Sequence, residues 1–324
     1  MSNVTDFIIR DDVLVKYIGP DDAKQIVIPK NVIRIEREAF KDCWQLTEFT
    51  IPDSVKSLGA RVFKGCICLT SVNIGSGVTE IGENIFEACS RLTGIWVDPD
   101  NTEFSSDEKG VLFNKKQSHL IVAPRTLAEP YAIPTGVELI CSDAFHECVN
   151  MPSVFIPDGV IELGERAFYK CTNLTTVRIP ESLENVKLAC FAYCNSLKEI
   201  AFPEKMTVVE SRIFVDCNSL EEVTMPKIID SLGKDIIVNC NNLQKLYCTS
   251  KLFSKFNQTV KDNVALAWLM GKATYEKDLS AAIQKYIKRT GNRLFSLMPN
   301  DSTKTAADIL DDTKQIVPLS NYVF

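Results

Sequence analysis

A 23-residue repeat is the feature of this sequence that most constrains its fold. An Ile-Pro dipeptide, or a close variant, marks one point of each unit at residues 28, 51, 133, 156, 179, 202 and 225. Ile74, Val97 and Cys248 continue the register without proline, once 13 extra residues between Val97 and Ile133 are set aside. Self-similarity at a fixed period is typical of a solenoid, in which each unit stacks on its neighbours.

Other positions recur at fixed distances from this anchor residue. Position +15 is cysteine in all eight complete units, position +18 is Leu or Met, and position +21 is apolar. Position +12 is Ile237 in the last unit and phenylalanine in the others, namely Phe40, Phe63, Phe86, Phe145, Phe168, Phe191 and Phe214. The consensus is therefore I-P-x-x-V-x-x-I-x-x-x-A-F-x-x-C-x-x-L-x-x-V-x.

This consensus predicts the local structure of one unit. Alternating apolar residues before the anchor indicate a short strand, which proline ends because it cannot donate to a ladder. The apolar spacing around Ala-Phe-x-x-Cys-x-x-Leu favours one or two helical turns. Glycines at +8, such as Gly59 and Gly164, fit a turn before that helix, and Asn173 and Asn195 fit a left-handed turn after it. The predicted fold is an α/β repeat solenoid with a parallel strand ladder.

The consensus resembles the 23-residue class of BspA-like bacterial leucine-rich repeats over residues 28–249. This resemblance implies a curved solenoid that recognises proteins, often at the cell surface, and that carries no cofactor. It also implies that hairpin insertions occur between repeats.

Three segments depart from the period. Residues 1–27 are predicted to form an N-terminal hairpin cap on the solenoid at 28–249. Within about 98–132, two apolar segments flank Lys115–Ser118, which predicts a β-hairpin that either packs as an oversized repeat or protrudes to bind a partner. Residues 250–324 show helical spacing and are predicted to form a small helical cap or module.

Catalytic and metal-binding motifs were sought among the histidines and cysteines. The chain has two histidines, His119 and His146, and neither stands beside a recurring acid or nucleophile. The cysteine spacing fits a column of buried thiols, because zinc favours close thiolate pairs and a disulfide needs Cβ atoms about 3.8 Å apart. The sequence therefore predicts no enzyme activity, no metal and no cofactor.

Charge and hydropathy limit the partners. The net charge is −6, and the short basic run at 285–289 is interpreted as a solvated helix face, so nucleic-acid binding is not expected. No apolar run approaches the length of a membrane span, and the N-terminus lacks a signal-peptide pattern. We expect a cytoplasmic protein, with a cell-surface or secreted location as the alternative.

The strand ladder supplies the candidate binding residues. Position +22 lies between two core positions and must therefore face outward. This column is mostly small or polar, but it contains Trp96, Phe155, Arg178 and Tyr247, residue types that dominate interfaces. We expect Trp96, Phe155 and Arg178 to contact a protein partner, the alternative being that other parts of the chain cover them.

Three classes of function follow from these features. The first is a protein-binding scaffold that uses the concave strand face and the hairpin insertion, as a monomer or weak oligomer. The second is an assembly protein that self-associates through the tail or the hairpin. An enzyme is the third, and no constellation of acid, base and nucleophile supports it.

Overall fold

Each 23-residue unit forms one coil of a β-solenoid. The computed structural model describes residues 6–226 and 229–248, and the predicted helical segment at 250–324 lies outside these residues. Strands of successive coils pair in parallel at the same repeat positions, so the predicted solenoid with its parallel ladder is confirmed.

The strands before each anchor form the first ladder. It consists of three separate sheets, β4-β6-β8, β12-β14-β16 and β18-β21-β24. Their bounds are β4 Glu48–Ile51, β6 Ser71–Ile74, β8 Gly94–Val97, β12 Tyr131–Ala132, β14 Ser153–Phe155, β16 Thr176–Arg178, β18 Glu199–Ala201, β21 Glu222–Thr224 and β24 Lys245–Tyr247. Buried and exposed residues alternate along these strands, as one-sided burial requires.

The strands at positions +6 and +7 form the second ladder. They are β3 Arg34–Ile35, β5 Ser57–Leu58, β7 Glu80–Ile81, β13 Leu139–Ile140, β15 Glu162–Leu163, β17 Asn185–Val186, β19 Val208–Val209 and β22 Ser231–Leu232. Two hairpins extend this ladder, and their strands are β1 Phe7–Arg10, β2 Val13–Tyr17, β9 Phe104–Ser106, β10 Leu112–Asn114 and β11 His119–Val122. The resulting sheets are β1-β2-β3-β5-β7 and β22-β19-β17-β15-β13-β11-β10-β9.

The third side of each coil carries the phenylalanine column. Here the N–H of Phe63 donates to the carbonyl of Ile85 in the next coil at 2.9 Å, and equivalent bonds recur from coil to coil. This side includes the paired strands β20 Phe214–Val215 and β23 Ile237–Val238. Hydrogen bonds between coils therefore replace the bonds that a helix would make within itself.

The predicted helical turns are wrong, since the described residues contain no helix. The reason is a pair of left-handed residues in each coil, at positions +10 and +14, such as Arg61 with φ 57° and Lys170 with φ 58°. These residues bracket the Ala-Phe pair and turn the chain twice where a right-handed helix would need negative φ. The asparagines expected to be left-handed, Asn173 and Asn195, do not have positive φ.

The glycines at +8 serve close packing between coils and not a left-handed turn. A Cβ at Gly59 would lie 2.4 Å from the backbone nitrogen of Arg37, and one at Gly164 would lie 2.5 Å from that of Ser142. Neither glycine has positive φ. Glycine is therefore selected here because the backbone of the preceding coil occupies the space of a side chain.

The phenylalanines at position +12 stack into an aromatic column along the solenoid. The rings of Phe145 and Phe168 stack at 5.0 Å between centroids, and those of Phe168 and Phe191 stack at 5.2 Å. In the N-terminal part, Phe63 stacks on Phe40 and on Phe86 at 5.7 Å each. These side chains are 0–1% exposed, so the column forms the centre of the core.

The cysteine column has a polar role that the sequence reading missed. The Sγ of Cys171 donates to the carbonyl oxygen of Phe145 in the preceding coil at 3.1 Å, and Cys66 does the same to Phe40. Burial raises the pKa of the Cys89 thiol to about 12, so the thiol stays a neutral donor near neutral pH. A thiol at +15 thus fills a small space and satisfies a buried carbonyl.

The solenoid contains two cores, which define two stacks. The N-terminal stack has a core from Phe7 to Ile95 together with Leu112, and the C-terminal stack has a core from Val111 to Cys248. The phenylalanine column is interrupted at the same place, between Phe86 and Phe145. The 13 extra residues thus end one stack and begin another.

The predicted hairpin is present as β10 and β11, which pair antiparallel. Its strands are interior, since Leu112, Phe113 and Leu120 are each fully buried. β11 pairs in parallel with β13 and so takes the place of a coil in the second ladder. Of the two readings of this segment, the structure favours packing over a protruding arm. The division of the chain into an N-terminal cap, solenoid and C-terminal module stays a prediction.

Candidate functional site

The candidate site is the outward face of the first ladder. Parallel pairing aligns position +22 of successive coils, so that Asn73 lies opposite Trp96 and Phe155 lies opposite Arg178. Residues on either side of this column are buried, such as Val154 at 3% exposure. The side chains at +22 therefore project from a sheet whose opposite face is anchored in the core.

Phe155 and Arg178 form one surface feature. The guanidinium carbon of Arg178 lies 4.5 Å from the centroid of the Phe155 ring, a cation–π contact. Phe155 is 43% exposed, and its other neighbour along the ladder is the small residue Ala132. The contact holds the guanidinium group in place. Because the Arg178 side chain is exposed, its N–H groups can still donate hydrogen bonds to a ligand.

Trp96 lies in the other stack. It belongs to the sheet β4-β6-β8, whereas Phe155 and Arg178 belong to β12-β14-β16. Its indole is 40% exposed and lies back over Gly94, where a Cβ would come 2.6 Å from the indole Cζ2. Trp96 and Phe155, both expected to contact a partner, therefore lie on two different sheets. The role of Gly94 was not foreseen.

Between these sheets, the insertion closes the edge of β8. The Ile95 N–H donates to the carbonyl of Gly110 at 3.0 Å, and the Val97 N–H donates to the Ser106 hydroxyl at 3.1 Å. Trp96 thus stands beside the segment that carries the chain from one stack to the next.

A polar groove of about 620 Å³ crosses the face of the C-terminal stack. It is lined by Thr175, Thr176, Lys198, Glu199, Glu221, Glu222, Gln244 and Lys245. Lys245 pairs with Glu222 at 3.3 Å. The groove spans β16 and β18, which belong to different sheets.

Tyr247 lies on β24, the strand that contributes Lys245 to this groove. It is half-buried and pairs along the ladder with Thr224. Three coil spacings separate it from Arg178, about 14 Å at the usual strand separation. The face therefore offers an aromatic and cationic group at one end, mixed charges in the middle and a tyrosine at the other.

His146 lies among charged groups, with its Nδ1 3.9 Å from a carboxylate oxygen of Glu147. The His146 ring stacks on Tyr169 at 5.1 Å, and burial lowers the pKa of His146. The nearby carboxylate of Glu147 is bound by Lys170 at 3.0 Å. Within 6–226 and 229–248, no cluster of three potential metal ligands occurs, and no helix is long and apolar enough to cross a membrane.

Comparison with protein families identifies the repeat. A family profile described as BspA type leucine rich repeat region matches residues 19–116 and 126–251 with six copies. The gap between the two matches falls within the insertion that separates the stacks. No curated protein sequence matches the chain significantly.

Two solved structures share the fold. The pneumococcal vaccine antigen PcpA is 22% identical, with a TM-score of 0.60, over 67% of this chain and 60% of that protein. A leucine rich cell surface protein from Faecalibacterium prausnitzii is also 22% identical, with a TM-score of 0.56, over 80% of this chain and 95% of that one. This chain thus spans less than two thirds of PcpA. At such identity the likeness establishes the fold alone.

Proposed function

This chain belongs to the BspA-type leucine-rich repeat family, and we propose that it is a non-catalytic scaffold that binds another protein through the first ladder. Leucine-rich repeat proteins generally act by binding proteins, because stacked coils present an extended surface on a rigid core. The partner is proposed to contact Phe155, Arg178 and Tyr247 on the C-terminal stack, with Trp96 as a further contact on the N-terminal stack.

The observation that carries this proposal is the exposed pair of Phe155 and Arg178. A solvated sheet face normally carries small or polar residues, so a large aromatic side chain 43% exposed is unfavourable unless something covers it. Arginine and aromatic side chains are enriched among the residues that contribute most binding energy. The adjacent groove would supply the polar rim that surrounds such groups in interfaces.

The experiment compares matched surface variants. Partners captured by the wild-type protein are identified by mass spectrometry, and their affinities for Trp96→Ala, Phe155→Ala and Arg178→Ala are measured by titration. Each change should weaken binding by about 2 kcal/mol, close to thirtyfold, while the melting temperature is unchanged. Thr50→Ala and Asn73→Ala, at the same repeat position, serve as controls. Unaltered affinity in all three test variants would refute the site.

Oligomeric state and location are separate proposals. We propose a monomer or weak oligomer, because Leu112, Phe113 and Leu120 of the inserted hairpin are buried within the chain's own cores. Light scattering that finds a stable dimer would overturn it. We also propose a cytoplasmic location, because free cysteines are common in a reducing compartment. The alternative is a cell-surface or secreted location, which the likeness to a leucine rich cell surface protein supports. Labelling of the protein on intact cells by an impermeant reagent would overturn the cytoplasmic location.

A further inference from the structure

A second binding site is indicated by a cleft between the two stacks. It has a volume of about 550 Å³ and opens where β7 of the N-terminal stack faces the outward side of β13 and β15. The N-terminal side contributes Ile81, Gly82, Glu83 and Asn84, and the other side contributes Ile121, Val122, Ser142 and Glu165. This cleft is remote in repeat position from the first-ladder face described above.

Among the described residues, the backbone at the edge of β7 makes fewer hydrogen bonds to a following coil than the backbone of β5 does. In the second ladder, the carbonyls of Lys56 and Leu58 accept from Glu80 and Gly82 of the next coil at 3.1 and 2.8 Å. The equivalent carbonyls of Thr79 and Ile81 accept no hydrogen bond from any residue within the described ranges.

A hydrogen bond found in other coils is also missing at position +10 of this coil, among the described residues. The N–H of Arg61 donates to the carbonyl of Glu83 at 2.9 Å, and that of Asp143 donates to Glu165 at 2.9 Å. The equivalent N–H of Asn84 has no acceptor among the residues that the structure describes. Two acceptors and one donor, spaced as in a regular coil, therefore lie along this edge, and Ile81 and Asn84 also line the cleft.

The edge of this coil in the first ladder, at β8, is hydrogen-bonded to the insertion. At the first ladder, Gly110 accepts from the Ile95 N–H at 3.0 Å, so the insertion satisfies the edge of β8. An unpaired strand edge is a template for adding another strand, and proteins usually cover it. Here the insertion covers one edge of the coil and leaves the other beside a cleft.

Charge and hydropathy define the occupant. The cleft is lined by four carboxylates and two guanidinium groups, at Arg61, Glu83, Asp143, Glu162, Glu165 and Arg166. Arg166 is occupied by a bidentate contact with Asp143, and Arg61 pairs with Glu87 at 2.9 Å. Glu83 is exposed and unpaired within the described residues, and Ile81, Ile121 and Val122 add an apolar wall.

We propose that this cleft binds an extended peptide of a partner protein, which adds to β7 as a strand and carries basic residues among apolar ones. Its N–H groups donate to Thr79 and Ile81, and its carbonyl accepts from Asn84. A lysine or arginine side chain faces Glu83, since Glu165 already lies 3.8 Å from the guanidinium group of Arg166. The peptide thus occupies the place that the next coil of a continuous solenoid would take.

The chain itself supplies a suitable probe. Residues 55–62, Val-Lys-Ser-Leu-Gly-Ala-Arg-Val, make this pairing with the preceding coil, since the Gly59 N–H donates to Ile35 at 2.8 Å. A fluorescent octapeptide of this sequence is titrated into the full-length protein and followed by anisotropy. Two control peptides carry either an N-methyl group at glycine, which removes one donor, or glutamate in place of lysine and arginine. Each control should bind at least about tenfold more weakly.

Protein variants locate the site. Ser142→Trp fills the cleft from an exposed position and should weaken the peptide at least about tenfold, whereas Lys234→Trp, at the same repeat position outside the cleft, should not. Glu83→Lys should weaken binding of the basic peptide, with Glu48→Lys as the control.

Absence of binding, equal binding of the N-methyl peptide, or unchanged affinity in Ser142→Trp would each overturn the proposal. The first-ladder variants should bind the octapeptide normally, so the two proposed sites fail or succeed independently.

Discussion

The N-terminal and C-terminal stacks each begin with a β-hairpin, and the two hairpins differ in how they join the aromatic column. In the N-terminal stack the Tyr17 N–H donates to Ala39 at 2.9 Å, and in the C-terminal stack the Ala123 N–H donates to Ala144 at 2.8 Å. Tyr17 is the last residue of β2, and Ala123 directly follows β11. Each of these strands is the second strand of a hairpin and pairs with the second ladder. The hairpin is thus a starting unit for a solenoid, used once at the beginning of the chain and once within it.

The difference lies in how each hairpin continues the aromatic column. Tyr17 extends it, with its ring 6.1 Å from that of Phe40. The inserted hairpin has Ala123 at that point, and Tyr131 reaches Phe145 from the first ladder at 5.9 Å instead. The inserted hairpin must also close the preceding stack, so its strand β10 places Leu112 in one core and Phe113 in the other.

The largest expected effects come from the aromatic columns of the two stacks. Phe168→Ala and Phe63→Ala each remove a ring stacked on both sides and should cost about 3–5 kcal/mol of unfolding free energy. Chemical denaturation with hydrogen exchange would show whether each loss is confined to its own stack. A cost below about 1 kcal/mol in either variant would contradict the assigned register.

The shared hairpin gives the next test. Leu112→Ala should destabilise the N-terminal stack and Phe113→Ala the C-terminal stack, each by about 3 kcal/mol, because the two side chains lie in different cores. Site-resolved hydrogen exchange measures this division. Equal loss of protection in both stacks from either variant would mean that the two cores unfold as one unit. Lys116→Ala, at the exposed tip, is the control.

Close packing between coils gives a smaller effect in both stacks. Gly59→Ala and Gly164→Ala introduce a Cβ at 2.4–2.5 Å from the preceding backbone and should cost about 1–3 kcal/mol. Gly136 has φ 100° and open space around a Cβ, so it tests the effect of backbone conformation without that of close packing. Its alanine variant should cost about 1 kcal/mol through backbone conformation alone. Thermal unfolding ranks the three, and an equal cost at all positions would refute the packing argument.

The buried thiols predict an alkaline loss of stability. Burial raises the pKa of Cys148 from 9.0 to about 11 and that of Cys89 to about 12. Since the unfolded thiol loses its proton first, stability is complete below about pH 9 and falls above it by at most about 1.4 kcal/mol per pH unit per thiol. The loss of stability caused by Cys148 should be complete near pH 11, and the loss caused by Cys89 should be complete near pH 12.

Cysteine-to-alanine variants isolate these contributions. Denaturation between pH 8 and 11 should show a shallower decline for Cys148→Ala than for the wild-type protein. Cys68→Ala, outside the +15 column, is the control. An identical pH dependence in the Cys148 variant would show that this thiol does not titrate between the folded and unfolded states.

The sequence by itself determined the solenoid, its register and most of its core. Eight copies of one pattern can bury their apolar residues only by stacking, so the phenylalanine column and the outward direction of position +22 followed directly. The exposed positions of Trp96, Phe155 and Arg178 could be named for that reason, although their binding role stays a prediction.

Tertiary structure decided what spacing could not. Apolar steps of three and four fit a helix as well as a coil, and left-handed residues such as Arg61 and Lys170 resolve the ambiguity because each is satisfied by bonds to the next coil. The same holds for Gly164 and Cys171, whose roles depend on the backbone of a neighbouring unit. The break into two stacks, the open edge of β7 and the separation of Trp96 from Phe155 arise from contacts between distant residues, which a local pattern does not contain.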